Sequence, residues 1–404
     1  MNILFLSLGR YWSISESEGY TDLLREFIRH GDSVYIVSPT ERREGKETQL
    51  IKEDNSVILK VKTGNIQKTN FIEKGISTVM IESQFLNAIK KYLSDVKFDL
   101  VLYPTPPITF VKVVEYVKKR DGAKTYLLLK DIFPQNAVDI GIMSTKGIKG
   151  FLYKYFRRKE KKLYQISDTI GCMSPANVQY VLDHNPEVEK SKVEVCPNVI
   201  EIVDKSIDEK IREKIRSKYG IPIDKKVFVY GGNLGRPQGI DFLIECIKAQ
   251  KDNLDAFFFI VGDGTDYEKL EEFYRSSNQD NFKLMKRLPK EDYDTVVAAS
   301  DVGLIFLDHR FTIPNFPSRL LGYLQAKLPV LAATDSNTDI GKIITDGGFG
   351  WWCKSDSVEE FNKIVEIALN VDTNELGENA YRYLKDNYTV EQGYSIIQKR
   401  LRSK

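Results

Sequence analysis

KKVFVYGGNLGRPQGIDFLIE, residues 225–245, runs from an apolar strand through a glycine turn into an amphipathic stretch. Such a strand–turn–helix unit belongs to a parallel α/β sheet, and the spacing predicts a helix from about Gln238. The turn Gly231-Gly232-Asn233-Leu234-Gly235 lets a ligand approach the backbone closely, and free amides ahead of a helix suit an anion such as a diphosphate. Arg236 adds a cation. An ordinary tight turn would use the same glycines, so both readings stay open. The stretch matches neither the Walker A loop nor the GxGxxG fingerprint, which removes the main support for an ATPase or a dinucleotide enzyme.

The same unit recurs on both sides. Before residue 200, short apolar runs at Asn2–Leu8, Ser33–Ser38, Asp99–Tyr103, Thr125–Lys130, Thr169–Met173 and Val193–Cys196 alternate with helical patterns such as Tyr20–Arg29 and Phe110–Lys119. After it come Lys226–Gly231, Ala256–Val261, Phe282–Lys286, Val302–Phe306, Pro329–Thr334 and Gly350–Cys353. The predicted fold is α/β: two Rossmann-like, doubly wound parallel-sheet domains facing a cleft. The expected boundaries are 1–198, 199–385 and a C-terminal helical segment, 386–404. No repeat of solenoid length is present.

Composition agrees with a soluble two-domain chain. Of 404 residues, 42% are hydrophobic and 29% charged, an ordinary globular balance. Lys plus Arg number 59 against 57 Asp plus Glu, which argues against a nucleic-acid binder. Four scattered cysteines and three lone histidines leave little for a disulfide scaffold or a metal site, so neither metal nor cofactor is expected. The opening MNILFLSLGRYW reads as a strand rather than a signal peptide, and no run reaches the roughly 18 apolar residues of a membrane span. The expected location is the cytoplasm, with peripheral contact to the inner face of the membrane.

Further candidates lie where strands hand over to helices. Gly262 and Asp263 end a strand in IVGDG. Arg287 and Leu288 follow the next, where a guanidinium and backbone suit a base. The stretch Leu307–Asp335 carries Arg310, then two prolines, then Ser318 as a helix N-cap, with Arg319 and Leu320 in the first turn. A cation at a helix N-terminus opposes the macrodipole and makes sense if it answers an anionic ligand, or if it pairs with an acidic neighbour. In the first half, Asp131 ends the strand of TYLLLKDIFPQN, where it would orient an acceptor hydroxyl, act as a base, or cap a turn. Gly19 opens the first helix. The segment Ser144–Tyr164 holds eight Lys or Arg and one Glu, with apolar residues at helical spacing. Lys149, Lys154, Arg157, Arg158 and Lys161 are therefore candidates to face anionic lipid, although a core helix with a charged outer face would read the same way.

Seven blocks in order, EGYTDLLREFIRHGDSVYIVSP, LLLKDIFPQN, SDTIGCMSPAN, CPNVI, YGGNLGRPQGID, IVGDG and SRLLGYLQAKLPVLAA, resemble the GT-B glycosyltransferases of family 4. These are retaining enzymes of capsule, O-antigen and exopolysaccharide assembly, and the resemblance spans nearly the whole chain. It implies a nucleotide-sugar donor, most simply a UDP-sugar, on the second domain. It also implies a lipid-linked or growing glycan acceptor on the first, no catalytic metal, and a C-terminal helix that returns to the first domain. This chain departs from the family pattern at several positions. The usual diphosphate-clamping Arg and Lys fall on Asn233 and Gln238, the usual glutamate pair on Pro314 and Gly322, and no N-domain catalytic histidine is visible. Two alternatives stay open: a nucleotide-sugar 2-epimerase on the same fold, against which the shortage of histidine counts, and a non-catalytic partner subunit, for which the lost glutamates are the best support.

Overall fold

The computed structural model describes residues 1–16, 19–66 and 71–402, with side chains throughout except at 71–76, 148 and 149. The chain divides into two compact units, Met1–Glu201 with Val390–Lys404, and Ile202–Thr389.

Among the described residues the first unit holds eight strands: β1 (Asn2–Leu6), β2 (Ser33–Glu41), β3 (Gln49–Glu53), β4 (Ser56–Thr63), β5 (Leu100–Pro104), β6 (Lys124–Leu129), β7 (Thr169–Cys172) and β8 (Val193–Val195). They form one sheet in the order β3-β4-β2-β1-β5-β6-β7-β8, parallel except for the β3–β4 pair. That pair is an addition to the sequence reading. Glu53 pairs with Ser56 across the two-residue turn Asp54-Asn55. Ile3, Phe5, Ile36, Ile58, Leu100 and Leu102 are buried beneath the helix Tyr20–Arg29. The helix Val390–Arg402 closes the same core, with Tyr394 edge-on to Phe27 at 4.9 Å and Ile397 fully buried. The crossing into the second unit comes after Glu201, which is anchored to the first helix: Arg25 donates to it at 2.7 Å, and its amide donates to Asp22 at 3.2 Å.

The second unit has six strands, all parallel: β9 (Lys226–Asn233), β10 (Ala256–Asp263), β11 (Phe282–Lys286), β12 (Val302–Phe306), β13 (Val330–Thr334) and β14 (Gly350–Lys354), in the order β11-β10-β9-β12-β13-β14. Order reverses beside β9, the position where an open α/β sheet takes its ligand. The helix after the glycine turn starts later than its spacing predicts. A 3₁₀ turn occupies Arg236–Gln238, Gly239 takes a left-handed conformation, and the α-helix runs Ile240–Ala249. Pro237 explains the delay, since it suits a first turn but cannot donate within a helix.

Candidate functional site

In the second unit the carboxyl ends of β9 and β10 come level. Gly232 pairs with Gly262 and Asn233 with Asp263. A Cβ on Gly262 would stand 2.2 Å from the Gly232 carbonyl oxygen, so only glycine fits there. Gly232 itself has φ +123°, which side chains disfavour. Over it lies Arg319, its guanidinium 3.7–3.9 Å from where a Gly232 Cβ would be. Arg319 Nη1 donates to the Gly231 carbonyl at 3.0 Å, and the guanidinium sits on the Tyr230 ring at 4.3 Å. No carboxylate pairs with Arg319 among the described residues. The acidic neighbour that would have made it a surface cation is absent from this set.

Three tyrosines fix that cation. The Tyr230 hydroxyl donates to the Asn233 carbonyl at 2.8 Å, tying the ring to the turn. Tyr323 donates to the carbonyls of Leu304 and Val229 at 3.0 and 3.3 Å, and the Tyr293 ring packs against Gly231. Burial holds these phenols neutral; that of Tyr323 is pushed up to about 12. Sequence reading missed all three, although Tyr230 directly precedes the glycine pair.

The other candidates divide. Asn233 Nδ2 donates to Gln238 Oε1 at 2.8 Å, and the Gly235 amide reaches the same oxygen at 3.3 Å. A neutral latch thus occupies the two positions that carry cations in the resembled family. Arg236 is exposed on the 3₁₀ turn. Arg310 forks onto Asp308 with contacts of 2.8 and 2.6 Å, so its charge is answered within the protein. Arg287 and Leu288 follow β11, whose Lys286 pairs with Gly262, so they lie one strand out from the turn. Ser318 departs from expectation: it is helical in backbone and its side chain caps nothing. The amide of Leu320 donates to Pro317 at 3.2 Å rather than standing free, because the chain is already turning there, and the Leu320 side chain is buried.

In the first unit Asp131 lies just beyond β6. Asn136 Nδ2 donates to both of its carboxylate oxygens, at 2.7 and 2.8 Å. Thr105 Oγ1 donates to its carbonyl at 3.0 Å. Burial lifts the carboxyl from 3.8 to about 6, with the Asn136 hydrogen bond pulling the other way. Such a group changes charge near neutrality, as a general base should. Gly19, at φ +53°, is the N-cap of the helix Tyr20–Arg29 and has no side chain to cap its first amides.

The basic helix runs Gly147–Ile166. Two of its five candidate cations are engaged within the protein. Arg157 turns inward, donating to Glu160 at 2.5 Å and to Asn185 at 2.7 Å, and Lys161 pairs with Glu187 at 2.8 Å. Arg157 therefore serves packing, because Glu160 is buried and needs a cation. Lys154 and Arg158 are exposed, and the Lys149 side chain lies outside the described residues. Between them Phe151 is 79% exposed, with Leu152, Tyr155 and the nearby Ile142 also outside the core. Among the described residues no helix is long and apolar enough to cross a membrane, and no group of His, Cys, Asp or Glu could hold a metal ion.

Residues 211–383, nearly the whole second unit, match the family model described as Glycosyl transferases group 1. The chain is 25% identical over 326 residues to WbjE of Pseudomonas aeruginosa, described as a probable glycosyltransferase, covering 80% of this chain and 78% of WbjE. It is 23% identical over 278 residues to WcaI of Escherichia coli K12, whose description names colanic acid biosynthesis; that match covers 68% of this chain and 67% of WcaI. The solved structure of Anabaena HepE, in complex with UDP and glucose, matches with a TM-score of 0.70 over 99% of both chains at 13% identity. The second unit is a group 1 glycosyltransferase domain on a GT-B fold. The protein is a glycosyltransferase.

Proposed function

We propose that this chain moves a sugar from a UDP-sugar to a lipid-linked or growing glycan acceptor, with retention at the anomeric carbon, during surface-glycan assembly. The second unit takes the donor and the first the acceptor, without a metal. The observation that carries this reading is Arg319: a cation with no carboxylate partner among the described residues, braced by Tyr230 over the Gly231-Gly232 turn. As the bond from sugar to phosphate breaks, negative charge grows on the departing diphosphate, and a preorganised guanidinium lowers the energy of that state. Asp131 orients the acceptor hydroxyl and takes its proton. HepE, bound to UDP and glucose, and WcaI, described by its glycan pathway, support the donor and acceptor classes. The exposed Phe151, Leu152, Tyr155, Lys154 and Arg158 suit an anionic lipid surface on the cytoplasmic side, where a lipid-linked acceptor would be met.

The test is a panel of UDP-, GDP- and dTDP-sugars with and without chelator. The expected outcome is release of UDP from a UDP-sugar, undiminished by chelator. An epimeric nucleotide sugar would instead identify an epimerase, and tight binding without chemistry a non-catalytic subunit. Arg319→Ala should weaken turnover about ten- to a hundredfold, the loss of a charge-assisted bond to phosphate. Arg319→Lys should recover only part, and uridine should bind both variants as it binds the parent. Unaltered turnover in folded Arg319→Ala would overturn the assignment.

A further inference from the structure

Lys60 is a charge held in an uncomfortable place in the first unit. It lies in the carboxyl half of β4, fully buried, and its ammonium donates to one hydroxyl, Ser38 Oγ on the paired position of β2, at 3.1 Å. No carboxylate pairs with it among the described residues. A buried ammonium normally keeps a counter-ion, so an unanswered one needs a reason. The nearby charges are mixed. Glu44 and Glu16 favour its protonation, while Arg10 and Lys46 oppose it. Glu41, the buried carboxylate at the end of β2, is claimed by Arg43 at 2.6 Å and Arg10 at 3.4 Å.

What covers Lys60 is Trp12, half-buried in the loop after β1, with its ring centroid 4.6 Å from the ammonium. A second ammonium, that of exposed Lys46, lies 3.7 Å from the same ring. One indole therefore carries two lysines, at the strand ends where α/β sheets bind ligands. An indole face suits a sugar ring as well as it suits a cation. A ligand that took Lys46's place on the ring would meet that ammonium beside it, and a swing of the indole would open the way to Lys60.

We propose that Trp12, Lys46 and Lys60 form an acceptor subsite for an anionic sugar. The sugar ring would lie on Trp12, and its carboxylate or phosphate would be held by the two ammonium groups. This rests on the reading that the first unit takes the acceptor, and names that acceptor's chemical class.

The test is binding to the whole chain with no donor present, read by calorimetry and by tryptophan emission. Trp12→Phe identifies the responding residue among the three tryptophans. The probes are glucuronic acid, glucose 1-phosphate and glucose, and each is repeated in Arg319→Ala so that the second unit's anion site does not contribute. At least one anionic probe should bind about tenfold or more tighter than glucose, and the two arms tell carboxylate from phosphate. Lys60→Met, which keeps the length of the side chain, should abolish that preference, and Lys60→Arg should restore part of it. Equal binding of all three probes, or a preference that persists in folded Lys60→Met, would overturn the proposal. Failure to release UDP in the donor panel would sink the transferase reading and with it the role of acceptor, an outcome distinct from loss of the anionic-sugar preference, which this binding test reads with no donor present.

Discussion

Lys60 and Asp131 are both charged groups held where burial disfavours charge, and each predicts a pH dependence of definite sign. Burial brings Lys60 from 10.5 down to about 8, with Glu44 acting against the shift. The folded state then binds its proton less tightly than the unfolded chain. The resulting instability is fully present below pH 8 and fades as pH rises from about 8 to 10.5. Lys60→Met should therefore stabilise the first unit at pH 7 by about 2–3 kcal/mol, a gain that vanishes near pH 10.5 in denaturant titrations. For Asp131 the carboxyl is raised, so its ionisation destabilises the fold as pH climbs from 3.8 to about 6. If only the carboxylate accepts a proton, transfer should rise through pH 6 and then level. Asp131→Asn should remove that limb and lower turnover by about 10²–10⁴. Asn136→Ala removes a bond to the charged form and should move the limb to higher pH.

The basic helix Gly147–Ile166 makes its prediction as an element. Its outward face combines Phe151, Leu152 and Tyr155 with Lys154 and Arg158, so vesicle binding should need both kinds of contact. Each cation near an anionic surface contributes about 1 kcal/mol. The pair Lys154→Glu and Arg158→Glu should release the chain from anionic vesicles, and Phe151→Ser should weaken it at constant charge. Arg157→Glu should do something different and unfold the unit, because that residue answers buried Glu160. Binding unchanged in the double variant would refute the surface. The sequence displayed this helix clearly but not which cations face outward, since helical spacing alone does not say which carboxylates sit opposite. The central strands among the twelve were legible for a simpler reason: strands covered on both faces read as continuous apolar runs, as in NILFL, LVLYP and AFFFIV. The hairpin of β3 and β4 was missed because lysines interrupt QLIKEDNSVILKVKT and its two-residue turn, Asp54-Asn55, lacks the glycine that marks such turns in a sequence. At the site, the glycine turn and Arg319 stood out locally. The tyrosines beneath Arg319 did not, because Tyr230, Tyr293 and Tyr323 meet only through the fold.

At the scale of the molecule, the first unit is discontinuous and the second is not. The helix Val390–Arg402 supplies Val390 and Ile397, both buried, stacks Tyr394 on His30 at 4.0 Å and ties Arg400 to Glu194 at 2.6 Å. Each buried aliphatic side chain contributes about 1.5–3 kcal/mol. Deleting residues 390–404 should therefore lower the stability of the first unit by several kcal/mol, an appreciable share of the ~5–15 kcal/mol typical of a domain. Hydrogen exchange should show lost protection around Leu23 and Phe27, with the second unit unaffected; uniform loss in both would contradict two separate cores. The same discontinuity sets an order of events during synthesis. Ribosomes add about 5–20 residues per second, so the roughly 190 residues of the second unit take about 10–40 s to emerge. Through that interval the nascent first unit waits with the Leu23–Phe27 seam open, while the later-made second unit is the first to have all its parts. That seam is apolar surface left exposed for a defined time, and it closes when the helix Val390–Arg402 docks on it.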